Sequence, residues 1–183
     1  MTLGPAVFFD RDGVINVSPG TGYVLRPADF HFMPGIVDVL KWCKAQGFYT
    51  VLVTSQQGVG KGLMTQADLD AIHSHLQGQL DVHGAAFDGI HSCPHLSGTC
   101  TCRKPSPRMI LAACAALPID LRASALVGDH DRDIQMARNA GVGFAIRLSS
   151  GNEVNEPGDV LAHSLPEVLA ALQTWHATTR HSP

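Results

Sequence analysis

No run of lysines or arginines occurs in the sequence, and the formal net charge is only −3, which argues against nucleic acid or an anionic membrane as the main partner. A small anionic substrate, held by a few local groups, stays open. No apolar run approaches the roughly 18 to 20 residues that cross a bilayer, and Met1–Ala6 lack the basic segment and long apolar stretch of a secretory signal. The expected location is therefore the cytoplasm. An internal repeat, a linker and any clustering of glycine or proline are also missing, so the 183 residues read as one ordinary soluble domain over 1–176. A polar tail, 177–183, follows and is expected to be mobile. Nor is the cysteine count even: there are five, three of them between Cys93 and Cys102. In a reducing compartment that crowding indicates metal binding rather than a disulfide framework.

What is present is alternation. Short apolar runs alternate with amphipathic stretches, which predicts an α/β fold, a Rossmann-like three-layer sandwich around a central, mostly parallel sheet. Ala6 to Phe9 is the first strand. Pro34-Gly35 opens a helix with Ile36, Val39, Leu40 and Cys43 at helical spacing, and Tyr49 to Val53 is the second strand. Thr65-Gln66-Ala67-Asp68 has the capping-box pattern ahead of Leu69, Ile72, Leu76 and Leu80. A weak strand at Gly89–Ser92, a helix through Met109, Ile110, Ala113 and Leu117, and a strand at Ala125–Val127 come next. A helix around Ile134 and Ala137, a strand at Val142–Ile146 and a last helix at Pro166–Trp175 complete the pattern.

In open parallel sheets, ligands sit at the carboxyl ends of the strands, and four polar sites occupy such ends or the Cys-rich loop. Asp10-Arg11-Asp12-Gly13 places two carboxylates where they can share a cation and divide nucleophilic and acid/base work. Alone, it reads more often as a capped, solvated turn. Thr54-Ser55-Gln56-Gln57-Gly58 offers a hydroxyl and backbone donors to an oxyanion, or is a common polar loop. Arg103-Lys104-Pro105 can hold phosphate or be a surface basic pair. Gly128-Asp129-His130-Asp131-Arg132-Asp133 can complete a Mg²⁺ site or merely start a helix, where acids are favoured. Their joint occurrence in this order carries more than any one of them.

With these four segments in place the sequence resembles the haloacid dehalogenase-like hydrolases. It is most similar to the branch holding heptose bisphosphate and histidinol-phosphate phosphatases, through Asp10–Asn16, Gly22-Tyr23-Val24, Phe30–Gly35, Val53–Gly62, Cys93-Pro94-His95, Cys102–Pro105 and Gly128–Ile134. The resemblance implies a phosphoric monoester hydrolase in which Asp10 attacks phosphorus and Asp12 is the general acid and base. It implies Mg²⁺ held by Asp10, the Asp12 backbone carbonyl and Asp129, with Asp133 in support through water or Lys104, and phosphoryl oxygens held by Thr54 and Lys104. Arg103, Ser55, Gln56 and Gln57 are expected to meet the rest of the substrate, and His130 stands where relatives carry a basic residue near it. Ser55 replaces the asparagine usual in the branch, which puts one substrate contact in doubt but not the chemistry. Residues 13–53 are taken up by a loop, a helix and a strand, so no large cap domain fits there, and specificity is expected from the loops at Ser18–Tyr23, Gln56–Lys61 and the zinc loop.

Cys93-x-His95 and Cys100-x-Cys102 supply three thiolates and one imidazole, the set favoured by structural Zn²⁺. Four protein ligands leave no open position, so this zinc would fix the loop, 93–102, that presents Arg103 and Lys104. Cys43 and Cys114 lie on apolar helix faces and read as core residues. Gly22-Tyr23-Val24 and Phe30–Gly35 favour a heptose bisphosphate substrate, while the short span between His95 and Cys100 leans towards histidinol phosphate. The expectation is a monomer acting on a small phosphorylated metabolite. A catalytically silent binding protein on the same scaffold would be marked by loss of Asp10, Asp12 or Lys104, and all three are present.

Overall fold

A computed structural model describes residues 2–180, with the backbone alone at Arg180. Six strands form one sheet in the order β3-β2-β1-β4-β5-β6, and every neighbouring pair is parallel. They are β1 (Ala6–Phe9), β2 (Tyr49–Ser55), β3 (Gly89–Cys93), β4 (Ala125–Gly128), β5 (Phe144–Leu148) and β6 (Val160–Ala162). The helices are α1 (Ile36–Ala45), a single turn α2 (Gln57–Gly60), α3 (Gln66–Asp81), α4 (Arg108–Ala116), α5 (Asp131–Ala140) and α6 (Leu165–Arg180).

β1 is apolar at every position because helices cover both of its faces. Its side chains alternate between two cores. Val7 and Phe9 join Leu40, Leu69, Leu76 and Leu172 on the side of α1, α3 and α6, while Ala6 and Phe8 meet Ile110, Ile134 and Ala137 beneath α4 and α5. The result is the expected three-layer sandwich. No second folded unit interrupts the described strands, in keeping with the absence of a large cap.

The capping box forms as predicted: Thr65 Oγ1 accepts from Asp68 N–H at 3.1 Å and Asp68 Oδ2 accepts from Thr65 N–H at 2.8 Å. Other boundaries differ. Val142 does not start β5, because its N–H donates to the Ala137 carbonyl and, after Gly141 with φ 81°, closes α5. β6 is three residues long and follows Pro157-Gly158, too short to leave an alternating pattern. α6 begins one residue before the expected Pro166 and runs past Trp175 to Arg180, so residues 177–180 of the expected tail continue the helix, while 181–183 lie outside the described residues. Trp175 stacks on Phe144 with centroids 5.1 Å apart, His176 meets Phe48 at 4.9 Å, and Thr174 and Thr179 donate back to carbonyls one turn earlier. The aromatic contacts hold a helical end whose composition alone looks like a tail.

Candidate active site

The strand order reverses between β1 and β4, the point at which open α/β sheets leave a crevice at their carboxyl ends. Asp10 sits at its floor, its N–H donating to the Val127 carbonyl at 3.0 Å. The chain then turns tightly, with Gly13 N–H donating to the Asn16 carbonyl at 2.8 Å. Gly13 adopts φ 89°, and a Cβ there would collide with the Asp129 carboxylate. Glycine thus supplies both the turn and the room for the acid arriving from β4.

Lys104 Nζ lies 2.7 Å from Asp10 Oδ1 and 2.7 Å from Asp133 Oδ1, and all three side chains are buried. One cation cannot compensate two buried carboxylates equally. Asp133 also accepts the His130 N–H at 3.0 Å; burial works against its charge, but Lys104 and these bonds bring its carboxyl below the ordinary value. Asp10 is left under-compensated, and burial, reinforced by Asp133 and Asp129 against the pull of Lys104, raises its carboxyl to about 7. Lys104 is raised as well: burial disfavours its charge, but the two carboxylates outweigh that.

Asp12 is gripped on both oxygens. Its Oδ1 accepts from Asn16 Nδ2 at 3.0 Å and from Arg11 Nη2 at 3.1 Å, and its Oδ2 accepts from Gln56 Nε2 at 2.9 Å. The Gln56 amide donates also to Thr54 Oγ1 at 2.8 Å, which leaves the threonine hydroxyl proton free to serve another acceptor. Gln56 is fully buried and is not among the residues lining the cavity; its Nε2 holds Asp12 and Thr54, while its Oε1 has no hydrogen-bond partner among the described residues. Asp10, Asp12, Thr54, Ser55, Gln57, Arg103, Lys104 and His130 do face one cavity of about 280 Å³, together with the Ser18–Tyr23 loop. Ser55 Oγ and Arg103 Nη1 are buried there without a hydrogen-bond partner.

Two metal-binding donor sets stand beside this cavity. Asp129 Oδ1 bonds His130 Nδ1 at 2.7 Å, an interaction that raises the imidazole above its ordinary value, whereas Asp129 Oδ2 is buried with no partner. An unsatisfied buried carboxylate oxygen near Asp10 and the Asp12 turn is a hard-donor set that fits Mg²⁺. Asp133 reaches the site through Lys104. At the second set, Cys93 Sγ lies 3.2 Å from Cys102 Sγ, 3.5 Å from Cys100 Sγ and 3.7 Å from His95 Nδ1. All four donor atoms lie within 4.8 Å of one another, a convergence that fits zinc. The zinc loop leans on α2: Gly60 N–H donates to the Pro94 carbonyl at 2.8 Å, and a Cβ on Gly60 would come within 2.8 Å of that oxygen.

Three residues at the site carried no assignment from sequence. Arg11 is fully buried, holds Asp12 and touches His73 Nε2 at 3.5 Å; Asn16 shares Asp12; and Arg132 lines the cavity from the first turn of α5. Only the proximity of Arg132 to Asp129 in sequence could have pointed to it, since the partners of the other two are set by the turn and by α3.

Known proteins resemble the chain in sequence and fold. A family model described as HAD-hydrolase-like matches residues 101–167. The D-glycero-β-D-manno-heptose-1,7-bisphosphate 7-phosphatase of Yersinia pestis is 38% identical over 176 residues, covering 92% of this chain and 93% of its own, and that of Vibrio cholerae is 38% identical over 166 residues, covering 86% and 88%. The crystal structure of the D,D-heptose 1,7-bisphosphate phosphatase from B. bronchiseptica, complexed with magnesium and phosphate, superposes with a TM-score of 0.84 at 29% identity, covering 94% of this chain and 99% of that one. A full-length relation at this level, together with the shared overall fold, places the chain in the D-glycero-β-D-manno-heptose-1,7-bisphosphate 7-phosphatase family of the haloacid dehalogenase-like hydrolases.

Proposed function

We propose that the chain removes the 7-phosphate of D-glycero-β-D-manno-heptose 1,7-bisphosphate through an aspartyl-phosphate on Asp10. The observation that carries this reading is the meeting of Asp10, Asp12 and Lys104 on one cavity wall, with Asp10 Oδ1 tied to Lys104 and Oδ2 free of hydrogen bonds. Asp10 Oδ2 attacks phosphorus as the bond to the sugar oxygen breaks, and Asp12 gives that oxygen its proton. Asp12 then takes a proton from the water that attacks the aspartyl-phosphate, which frees inorganic phosphate and restores Asp10. Lys104 and the Thr54 hydroxyl hold phosphoryl oxygens, and Asp133 keeps Lys104 in place. Asp10, the Asp12 carbonyl and Asp129 would hold magnesium, which would supply the charge neutralisation that lets an anionic nucleophile approach a phosphate. Phosphoryl transfer depends mostly on such positioning and charge. Ser55, Gln57, Arg103 and His130 line the part of the cavity left for the sugar and its second phosphate.

A loop that depends on reduced thiols suits the cytoplasm. No described helix is long and apolar enough to cross a membrane. Phosphate release from both anomers of the heptose bisphosphate, histidinol phosphate and simple sugar phosphates tests the reading. A preference for the β-anomer of about a hundredfold in kcat/KM, near 2.7 kcal/mol, is expected, with turnover of every substrate lost in Asp10→Asn. Flat activity across the panel sinks the substrate, and retained activity in Asp10→Asn sinks the mechanism.

A further inference from the structure

Building on the assignment of Mg²⁺ to Asp129 under the phosphatase reading, we infer that Asn152, which is not among the residues lining the cavity, sets the affinity for the metal by fixing His130, which in turn aims the Asp129 carboxylate. That carboxylate is held on one side only. Its Oδ1 accepts from His130 Nδ1 at 2.7 Å, and its Oδ2, the buried oxygen left for a cation, has no hydrogen-bond partner among the described residues. The angle at which Oδ2 meets a metal therefore depends on where the imidazole is held. His130 stands just ahead of α5 and is half-buried, so its ring needs a second hold to keep one orientation.

Residues 149–159, which join β5 to β6, supply it. Asn152 Nδ2 carries two protons. It donates to Ser150 Oγ at 2.8 Å and lies 3.3 Å from His130 Nε2, while Ser150 Oγ donates to the Asp129 carbonyl at 3.4 Å. With Nδ1–H on Asp129, a neutral imidazole accepts at Nε2, so donors and acceptors match along both arms that leave the amide, and both arms end on Asp129. The rest of the loop is pinned close by. Arg147 is buried, with Nη1 donating to Asp131 Oδ1 at 2.7 Å and Nη2 to the Glu153 carbonyl at 3.2 Å, and Asp131 accepts the N–H groups of Asn155 and Glu156, each at 3.2 Å. Exposed loops are ordinarily the more mobile parts of a fold; here a buried arginine and an aspartate in the first turn of α5 tether the loop beside the metal ligand.

Calorimetric titration of Mg²⁺ alone into the zinc-loaded protein, at one fixed pH, tests this. Asn152→Ala, at an exposed loop position, is expected to weaken Mg²⁺ binding by about tenfold, and His130→Phe by roughly tenfold to a hundredfold. The urea midpoint of the magnesium-free Asn152→Ala protein is expected to match that of the wild type. Wild-type affinity in either variant overturns the inference. A loss in Asn152→Ala that comes with a lower urea midpoint assigns the effect to folding of the loop and overturns the positioning role as well. Asp129→Asn separates the two levels: it is expected to lose at least as much affinity as His130→Phe, and wild-type binding there removes the metal from Asp129 and overturns the underlying assignment too.

Discussion

At the scale of single residues, Asp10, the proposed nucleophile, is where burial and ionisation oppose each other. Without a metal its carboxyl sits at about 7, against an ordinary 3.8, since burial outweighs the one ammonium that it shares with Asp133. A proton and Mg²⁺ therefore compete for it: the acid must be ionised to bind the metal, so each pH unit below 7 weakens the apparent Mg²⁺ affinity by up to about tenfold, and above 7 the affinity levels off. Calorimetric titration of Mg²⁺ at several pH values checks this, and an affinity independent of pH between about 5.5 and 8.5 would contradict it. Asp10, Asp12, Lys104 and Asp129 were legible because each closes a strand or loop with a motif that chemistry explains. Arg11 and Gln56 were not. Arg11 lies between two acids and would ordinarily be given to solvent, yet the turn folds it inward against α3; Gln56 sits among pocket-lining neighbours, yet faces Asp12.

At the scale of elements, the zinc loop is the part that most directly ties structure to activity. It links the end of β3 to Arg103 and Lys104, and it rests against α2 through Gly60. Within it the thiols differ. Burial and the neighbouring thiols push Cys93 up to about 12; burial would also raise Cys100, but N–H groups of Cys102 and Arg103 and the adjacent thiols bring it to about 7. Such a crowded set is held together by a cation that accepts thiolates rather than by its own hydrogen bonds. Cys102→Ser is expected to lose zinc by elemental analysis and to lower kcat/KM by roughly tenfold to a hundredfold, with far-ultraviolet circular dichroism unchanged. Full activity in a zinc-free variant would show that the loop holds Lys104 unaided. Helices with a cap or a sharp apolar stripe, α1 and α3, were readable within a residue or two. The end of α6 and the strand β6 were not, because one depends on aromatic contacts with Phe48 and with Phe144 of β5, and the other on a register with β5.

Across the whole molecule, one buried histidine connects the scaffold to acid stability. His73 on α3 is 8% exposed and its imidazole is lowered from 6.5 to about 4, first by burial and then by the adjacent Arg11, against weaker attraction from Asp70 and Asp12. Below about 6.5 the unfolded chain takes up a proton that the folded protein refuses, so stability is complete above that pH and is lost as pH falls towards 4. The loss amounts to about 3 kcal/mol. Urea unfolding of the wild type and His73→Gln at a series of pH values measures it; the variant is expected to lack this part of the slope, and parallel curves would assign the slope to other groups.

The sequence by itself determined the α/β class, the helices with strong periodicity, the four motifs and the cysteine-histidine cluster, because each of these is encoded by residues close together in the chain. The tertiary structure alone decided which amide turns inward to hold Asp12, and where Asp10 and Asp129 meet. Those outcomes depend on β1 and β4 lying side by side with more than a hundred residues between them, and on burial, which changes the charge of a group without leaving any mark in its local sequence.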